Sequence, residues 1–566
     1  MDVGHERVRA DESCGWFTAA RPYYSGVAVP DDTTAAGGPP AGGPPPRRRL
    51  GVNTAIFAIA TGFSRIAGLG REVVAASYFG TGGPASAFTI ASQIPNLMSN
   101  LFAQAALSAA FVPVFTDLLQ QGRKREAFKL ASTLFWIILI ALGALTAVGI
   151  LAAGVIMPLF TGTFNHSLDH LTAGLAQVLF PVVLLLGLTG MLVGILQSYD
   201  EFSIPALAPA VWNLVILVLL VVLHTHYSGG NRLYAYAIAW LVATVVQLLM
   251  VASALRRIDF RLQFSIDWHD PRVRQVFTLM LPVTIGLGIV NLDQLLNSVF
   301  GTLVSSQAPR AIDNAFRIYM LPQGVFSVAV ATVLFPTLSR QAARRDVAGM
   351  RRAVGNGMRQ INLLLIPAAA IIMVLATPIT RLVFQRGNFN AHSTHLVSIA
   401  LFWFALSLPF GGINLLLTRT FFAVKRPWVP TSLAAVNMVV DVIVSVALYK
   451  PLGIAGLVIG TAVANAVMTA LQIRRLRMGF NGRLQGEQTL MITVRIAVAS
   501  ALLAGVSWLI WKGLDSLLGH SLPAEIVSVG LGIAVGLFVY ARAVLAMRVP
   551  EARQIEALVR GRLGGG

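Results

Sequence analysis

Leu130–Phe160 reads LASTLFWIILIALGALTAVGILAAGVIMPLF, 31 consecutive residues without a charged side chain. A helix needs about 20 apolar residues to cross the hydrocarbon core of a bilayer, so this stretch spans one with length to spare for tilt. Outward from it the same pattern recurs from residue 51 almost to the C-terminus. Apolar runs and loop punctuation mark fourteen spans, at approximately 52–79, 84–119, 128–160, 169–198, 204–224, 231–255, 276–304, 310–340, 349–378, 391–422, 428–448, 452–473, 489–511 and 522–546. The chain of 566 residues is 56% hydrophobic and 12% charged, roughly half the charged fraction of an ordinary soluble domain. A soluble multidomain enzyme is thereby excluded. The fold class is an all-α polytopic membrane protein of about 14 transmembrane helices. The single cysteine, Cys14, excludes a disulfide framework and any metal site built on thiolates.

The regions between and around the spans carry the charge. Residues 1–50 include Ala35–Pro46 (AAGGPPAGGPPP) and end in Arg47-Arg48-Arg49; a Pro/Gly-rich segment of this kind cannot bury a core and is expected to be a disordered cytoplasmic tail. Met1–Pro30 has no apolar core of a cleaved signal peptide. The expected organisation is then 51–304 for spans 1–7, 305–480 for spans 8–12, 481–550 for spans 13–14, and a short C-terminal tail at 551–566. The formal charge of +19 would raise nucleic-acid binding in a soluble chain; here the basic residues collect on alternate loops, and no nucleic acid is expected as a partner. One set of loops holds Arg123-Lys124-Arg125, then Arg256, Arg257 and Arg261, then Arg344, Arg345, Arg351 and Arg352, then Lys425-Arg426, Arg474-Arg475-Arg477, Arg548 and Arg553. The opposite set (Thr81–Gly83, Thr161–His166, Thr225–Gly230, Ser305–Pro309) is short and nearly uncharged, the exception being the loop with Arg381 and Arg386. The positive-inside rule puts both termini in the cytoplasm, which an even number of spans satisfies.

Charges at membrane depth cost roughly 2.5–3.5 kcal/mol each on insertion scales, so those present have work to do. Arg65 and Arg71 lie in span 1, Asp293 in span 7, Arg317 in span 8 and Asp441 in span 11. Spans 1 and 2 are also rich in small and polar residues (Thr61, Ser64, Gly68, Gly70, Ser92, Gln93, Asn96, Asn100), which suits the wall of a wet cavity. Arg65 and Arg71 are separated by about 120° around an ideal helix and ~9 Å along it; they share a face only if Gly68 and Gly70 bend the backbone. Glu72 falls almost on the face of Arg65, so an internal ion pair is the structural alternative. An excess of arginine over acid implies an anionic substrate, because the guanidinium fork binds phosphate bidentately. Asn437 and Asp441 are spaced i, i+4, with Thr461 in the next span. Their donors are oxygen only, suited to an alkali cation or a proton relay, the alternative being a hydrogen-bonded pair that holds two helices together. His224, His226, His392 and His395 sit at span ends without acidic partners, no phosphate-binding loop is present, and the outer loops are too short and acid-poor for a hydrolase or glycosyltransferase site. The reading is a transporter rather than an enzyme, with no covalent cofactor.

Phe63–Glu72 (FSRIAGLGRE) followed by Tyr78-Phe79-Gly80 resembles the opening of the MviN/MurJ lipid II flippases. The resemblance continues through Ile94-Pro95-Asn96-Leu97, Ala109–Val114 (AAFVPV), Phe202–Ala206 (FSIPA), Phe335–Ser339 (FPTLS) and Leu382–Gly387 (LVFQRG), and covers about residues 51–546. It implies two lobes of helices around a central cavity, in the multidrug/oligosaccharidyl-lipid/polysaccharide exporter superfamily, moving undecaprenyl-diphosphate-linked disaccharide–pentapeptide (lipid II) between leaflets of the bacterial plasma membrane. On this resemblance Arg65, Arg71 and Arg317 fall on the cavity arginines that take the diphosphate. Asp293, Asn437, Asp441 and Thr461 resemble the family's sodium site. The partners implied are lipid II, membrane lipids and other cell-wall synthesis proteins. The chain departs from the family pattern at Ser99-Asn100, where an arginine pair is usual, and at Ser86, Gln104 and Phe316, where charged or polar residues are. A multidrug or polysaccharide-lipid exporter of the same superfamily, or a non-transporting scaffold for cell-wall assembly, are the alternatives.

Overall fold

The structure, a computed structural model, describes residues 47–102, 105–227, 231–480 and 485–553. Long apolar runs leave the backbone no hydrogen-bond partner but itself, and the described residues form helices joined by short turns. In chain order these are α1 (Arg47–Phe79), α2 (Gly83–Phe102), α3 (Ala105–Gln120), α4 (Lys124–Ile156), α5 (His166–Leu179), α6 (Pro181–Ser198), α7 (Ser203–Leu223), α8 (Arg232–Ala254) and α9 (Pro271–Val304). They continue as α10 (Ala308–Pro322), α11 (Val328–Ala343), α12 (Val347–Val374), α13 (Ala376–Phe384), α14 (Ala391–Ala423), α15 (Trp428–Leu452), α16 (Ile454–Gly479), α17 (Gly486–Leu518) and α18 (Leu522–Ala546). Taken as passes, α2 with α3, α5 with α6, and α10 with α11 each make one crossing, and α13 is a short return after α12. The fourteen spans of the sequence therefore correspond to fourteen helical passes among the described residues. Eleven of them are long and apolar enough to cross a membrane by length and composition alone.

Boundaries differ where local chemistry outweighs hydropathy. Helix α1 begins at Arg47, so Arg47–Arg49 form its first turn rather than the end of a tail; arginine is a good helix former and no proline follows Pro46 within the helix. Residues 1–46 and 554–566, the bulk of the two tails, lie outside the described residues. Pro181 opens α6 and interrupts pass 4. Pass 8 is broken by a π-helical turn, Gln323–Ser327, after Pro322, a device common where a helix adjusts to a functional site. Asn165, Asp270, Asp346 and Asn390 cap α5, α9, α12 and α14 through their side chains, satisfying orphan amides at the membrane surface.

Packing divides the helices into two halves. One apolar core gathers Ala75 of α1 with residues of α2–α8 and Val273, Val276 and Leu295 of α9. The second gathers Ala76 of α1 with residues of α10–α14 and α16. Adjacent residues of α1 thus serve different cores, which places the end of this helix at the seam. Helix α9 also straddles the seam, packing on α2 and α3 on one side and on α15 on the other. The last two passes, α17 and α18, pack on each other and against Leu363, Ile371 and Leu375.

The seam is tied at the end bearing the short, uncharged loops. The Asn388 amide donates to the Ser77 carbonyl at 2.8 Å and its side chain to the Tyr78 carbonyl at 2.6 Å. Thr81 donates to Ser393 at 2.8 Å. Gly80, at φ +61°, is required there: a Cβ would lie 2.7 Å from the Asn388 carbonyl oxygen. At the basic-loop end the ion pair Lys129–Asp267 stays within the first half, and Arg359–Glu551 ties α12 to the end of the last pass. The exception to the charge asymmetry is also explained. Arg381 bridges Asp515 at 2.5 Å and Glu525 at 2.6 Å, so its charge is neutralised by passes 13 and 14.

Candidate functional site

Between the halves lies a cavity of about 670 Å³. Passes 1, 2, 7 and 8 supply most of its wall, with Trp212 and Asn213 from α7, Trp240 from α8, Phe404 from α14 and Thr461 from α16 completing it. Its charged lining comprises Arg65, Arg71, Arg310 and Arg317 against Glu72, Asp293 and Asp313, four guanidiniums to three carboxyl groups.

Glu72 is the hub. Its side chain is 2% exposed and takes ion pairs from Arg71 at 2.5 Å, Arg310 at 3.1 Å and Arg317 at 3.3 Å; the Tyr236 hydroxyl donates to it at 3.3 Å. Asp313 binds Arg310 at 3.1 Å and Arg317 at 3.0 Å. Glu72 belongs to α1 and the two arginines to α10, so these bonds cross the seam. The Arg71 guanidinium lies over Trp212 and Trp240, 5.0 and 5.3 Å from the ring centroids, a stacking that fixes its plane. Even so, Nε and Nη1 of Arg71 and Nε of Arg310 are buried without a hydrogen-bond partner. The site holds more donors than its own acceptors can use.

The structure brings Arg65, Arg71 and Arg317 to one cavity. It does so along α1, which is one uninterrupted helix from Arg47 to Phe79, with Arg65, Gly68, Leu69, Arg71 and Glu72 all lining the cavity. The Arg65–Glu72 pair is not formed: Glu72 is taken by Arg71 and Arg310, both buried beside it, and by the half-buried Arg317. Arg65 is exposed to the cavity, its guanidinium lying on the backbone of the π turn, where a Cβ on Gly324 would collide with it.

A second polar cluster lies along the same seam. Asp293 from α9 lies beside the carboxyl group of Asp441 from α15. Asn297 donates to Asp441 at 2.8 Å and to Thr461 at 3.4 Å, and Ser445 donates to Asp441 at 3.2 Å. Thr461 lies 3.4 Å from the same carboxylate. Asn437 is one turn along α15 from Asp441, and its amide oxygen is buried without a partner, as is Oδ1 of Asp293. The geometry unites Asp293, Asp441 and Thr461; it leaves Asn437 beside them but unbonded. Among the described residues no group of three or more His, Cys, Asp or Glu is placed to hold a metal ion.

Sequence reasoning missed Arg310, Asp313, Asn297 and Ser445. Arg310 follows the short, nearly uncharged loop Ser305–Pro309 and reads as an interfacial charge, yet its i, i+3, i+7 spacing with Asp313 and Arg317 marks one helix face. Asn297 and Ser445 repeat the i, i+4 relation to Asp293 and Asp441. Of the positions that depart from the family pattern, Ser86 accepts the Arg310 backbone amide at 3.3 Å and Phe316 stacks on Tyr319; the side chains of Ser99 and Asn100, and Gln104, lie outside the described residues. Of the histidines at span ends, His224 stacks on Tyr78 at 3.9 Å and His392 pairs with Gln307 at 2.9 Å.

A family model described as lipid II flippase MurJ matches residues 75–527. A probable lipid II flippase MurJ of Rhizobium tropici is 32% identical over 498 residues, covering 85% of this chain and 91% of its own length. The lipid II flippase MurJ of Burkholderia cenocepacia is 28% identical over 422 residues, covering 73% and 81%. A solved lipid II flippase MurJ in an inward closed conformation aligns with a TM-score of 0.73 at 22% identity, over 86% of this chain and 98% of that one. An inward-facing multidrug resistance MATE family transporter of the MOP superfamily aligns with a TM-score of 0.62 at 17% identity, over 76% and 98%. At those identities the structural likenesses speak for the fold alone.

Proposed function

This chain belongs to the lipid II flippase MurJ family, and from that premise we propose that it carries lipid II from the inner to the outer leaflet of the bacterial plasma membrane by alternating access. The observation that carries the reading is the convergence of Arg71, Arg310 and Arg317 on Glu72 at the tied end of a seam cavity, with buried donors left over. A diphosphate supplies the missing acceptors. Away from bulk water its charge interacts strongly with the guanidiniums, and Arg65, exposed in the cavity roughly 1.7 turns before Arg71 and nearer the basic loops, meets it first. The same bonds explain how binding and movement are linked. Glu72 on α1 and the arginines on α10 hold the two halves together; a diphosphate that takes over the arginines removes that tie and favours separation there. A ligand shifts a conformational equilibrium only through such a difference between states.

The second cluster fits an alkali cation. Asp293, Asp441, Thr461 and, one turn away, Asn437 offer oxygen atoms only, and two of these are buried acceptors without a donor. Two carboxyl groups placed side by side away from water repel unless a proton or a cation sits between them. Sodium bound there would supply that positive charge and join α9 to α15 and α16. Both termini lie in the cytoplasm in this reading, supported by the basic loops at one end of the bundle. Its partners are lipid II, membrane lipids and the cell-wall synthesis proteins that use the product.

A multidrug exporter shares the fold, but a cavity for cationic drugs calls for acids or bare aromatic faces rather than an arginine excess. A scaffold has no use for charges at this depth. The test is replacement of the resident flippase in a depletion strain by this gene, with lipid II measured in the outer leaflet. Restored lipid II supports the reading; protein in the membrane without it rejects the reading.

A further inference from the structure

We propose that Arg310, positioned by Asp313, is a further diphosphate-binding residue of this cavity and sets its preference for a diphosphate over a monophosphate. The proposal rests on the lipid-diphosphate reading above. Arg310 is only 3% exposed, so water does not satisfy it. Nη1 reaches Asp313 and Nη2 reaches Glu72, each at 3.1 Å, and Nε has no partner. Arg71, across Glu72, shows the same deficit at Nε and Nη1. Unmet buried donors are expensive, and all of these lie on residues that line the cavity.

The arrangement suits two linked phosphates better than one. Glu72 bonds both Arg71 and Arg310, so the two guanidiniums stand one carboxylate apart. A diphosphate repeats its oxygen acceptors over about that span, so one phosphate can face Arg71 and Arg317 while the other faces Arg310; a monophosphate serves one side only. Asp313 bonds both Arg310 and Arg317 and so sets their separation, which makes it a positioning residue. The Arg310 backbone amide donates to Ser86 on pass 2 at 3.3 Å, anchoring the first turn of α10 across the seam. A purely structural Arg310 would neutralise Glu72 and be indifferent to the second phosphate.

The experiment uses the full chain in nanodiscs, titrated with lipid II, undecaprenyl diphosphate and undecaprenyl monophosphate. The wild type should prefer the diphosphate. Arg310→Gln should weaken diphosphate binding about tenfold or more, the loss expected for a charge-assisted hydrogen bond, and monophosphate binding less than about threefold. Arg310→Lys keeps the charge without the fork and should fall between. An unchanged diphosphate-to-monophosphate ratio in both variants overturns the proposal, whatever happens to thermal stability. If the glutamine variant does not fold, the lysine variant alone decides, and a wild-type ratio in it overturns the proposal. Failure of the underlying reading looks different: the wild type would not bind lipid II, or Arg71→Gln would bind it as well as the wild type.

Discussion

Two polar clusters occupy the same seam and have opposite needs. At the tied end, Arg71, Arg310 and Arg317 crowd onto Glu72 and Asp313, and donors are left over. Between α9, α15 and α16, Asp293 and Asp441 face each other among hydroxyl and amide groups, and acceptors are left over. Each cluster is incomplete in the way that a ligand of the opposite charge would repair. Burial in a membrane protein usually enforces balance, and an imbalance repeated with both signs is what the two proposed ligand sites rest on.

The largest expected effect of breaking this contrast is on the cationic side. Arg65→Ala, Arg71→Ala or Arg317→Ala should each abolish transport while leaving membrane insertion intact, since one charge-assisted contact is worth about 1.5–3 kcal/mol. Lysine at these positions should rescue poorly for want of the planar fork. Complementation of a flippase-depleted strain, with protein level measured in the membrane fraction, checks both statements; full complementation by all three alanine variants would break the assignment.

A smaller effect is expected on the anionic side. Asp441→Ala should weaken sodium-dependent stabilisation of the purified protein and slow transport without removing lipid II binding. The measurement is thermal stability in sodium against choline at constant ionic strength and pH. A wild type indifferent to that exchange would leave the carboxyl pair to a proton or to structure.

The contrast also depends on which end of the seam faces which compartment. A reporter active only in the periplasm, fused after Gly566, should stay silent, and activity there would invert the assignment. The smallest effect is expected outside both clusters. Lys129 bonds Asp267 at 2.8 Å on an exposed surface, and this contact holds the Asp267 carboxyl below the usual carboxylate range. Whatever stability the pair contributes is present at neutral pH and is lost as pH falls through that lowered value. Lys129→Ala should shift the melting temperature by no more than about a degree at pH 7, because exposed pairs contribute little.

How much of this was legible in the sequence follows from what each feature depends on. The passes are legible because a bilayer imposes length and hydropathy on every one, as Leu130–Phe160 shows. Arg65, Arg71, Arg317, Asp293 and Asp441 are legible because charges at depth are conspicuous. Arg310 and Asp313 are not, since they lie at the end of a run, where depth cannot be judged from hydropathy. The partners of Glu72 are not legible for another reason: periodicity along α1 offers Arg65 as the alternative partner, whereas the actual ones are the preceding residue, Arg71, and two arginines of a helix more than two hundred residues later. The unbonded place of Asn437 depends on side-chain orientation, which spacing alone does not fix.

The central claim is that the arginine cluster grips a lipid diphosphate during transfer between leaflets. Its most direct test is leaflet-resolved translocation of lipid II in proteoliposomes, comparing the wild type with an Arg71→Ala/Arg317→Ala double variant of equal content and fold. The account predicts rapid appearance of lipid II in the opposite leaflet with the wild type and only the protein-free background with the variant. Equal translocation by both, or none by a correctly folded wild type, would contradict it.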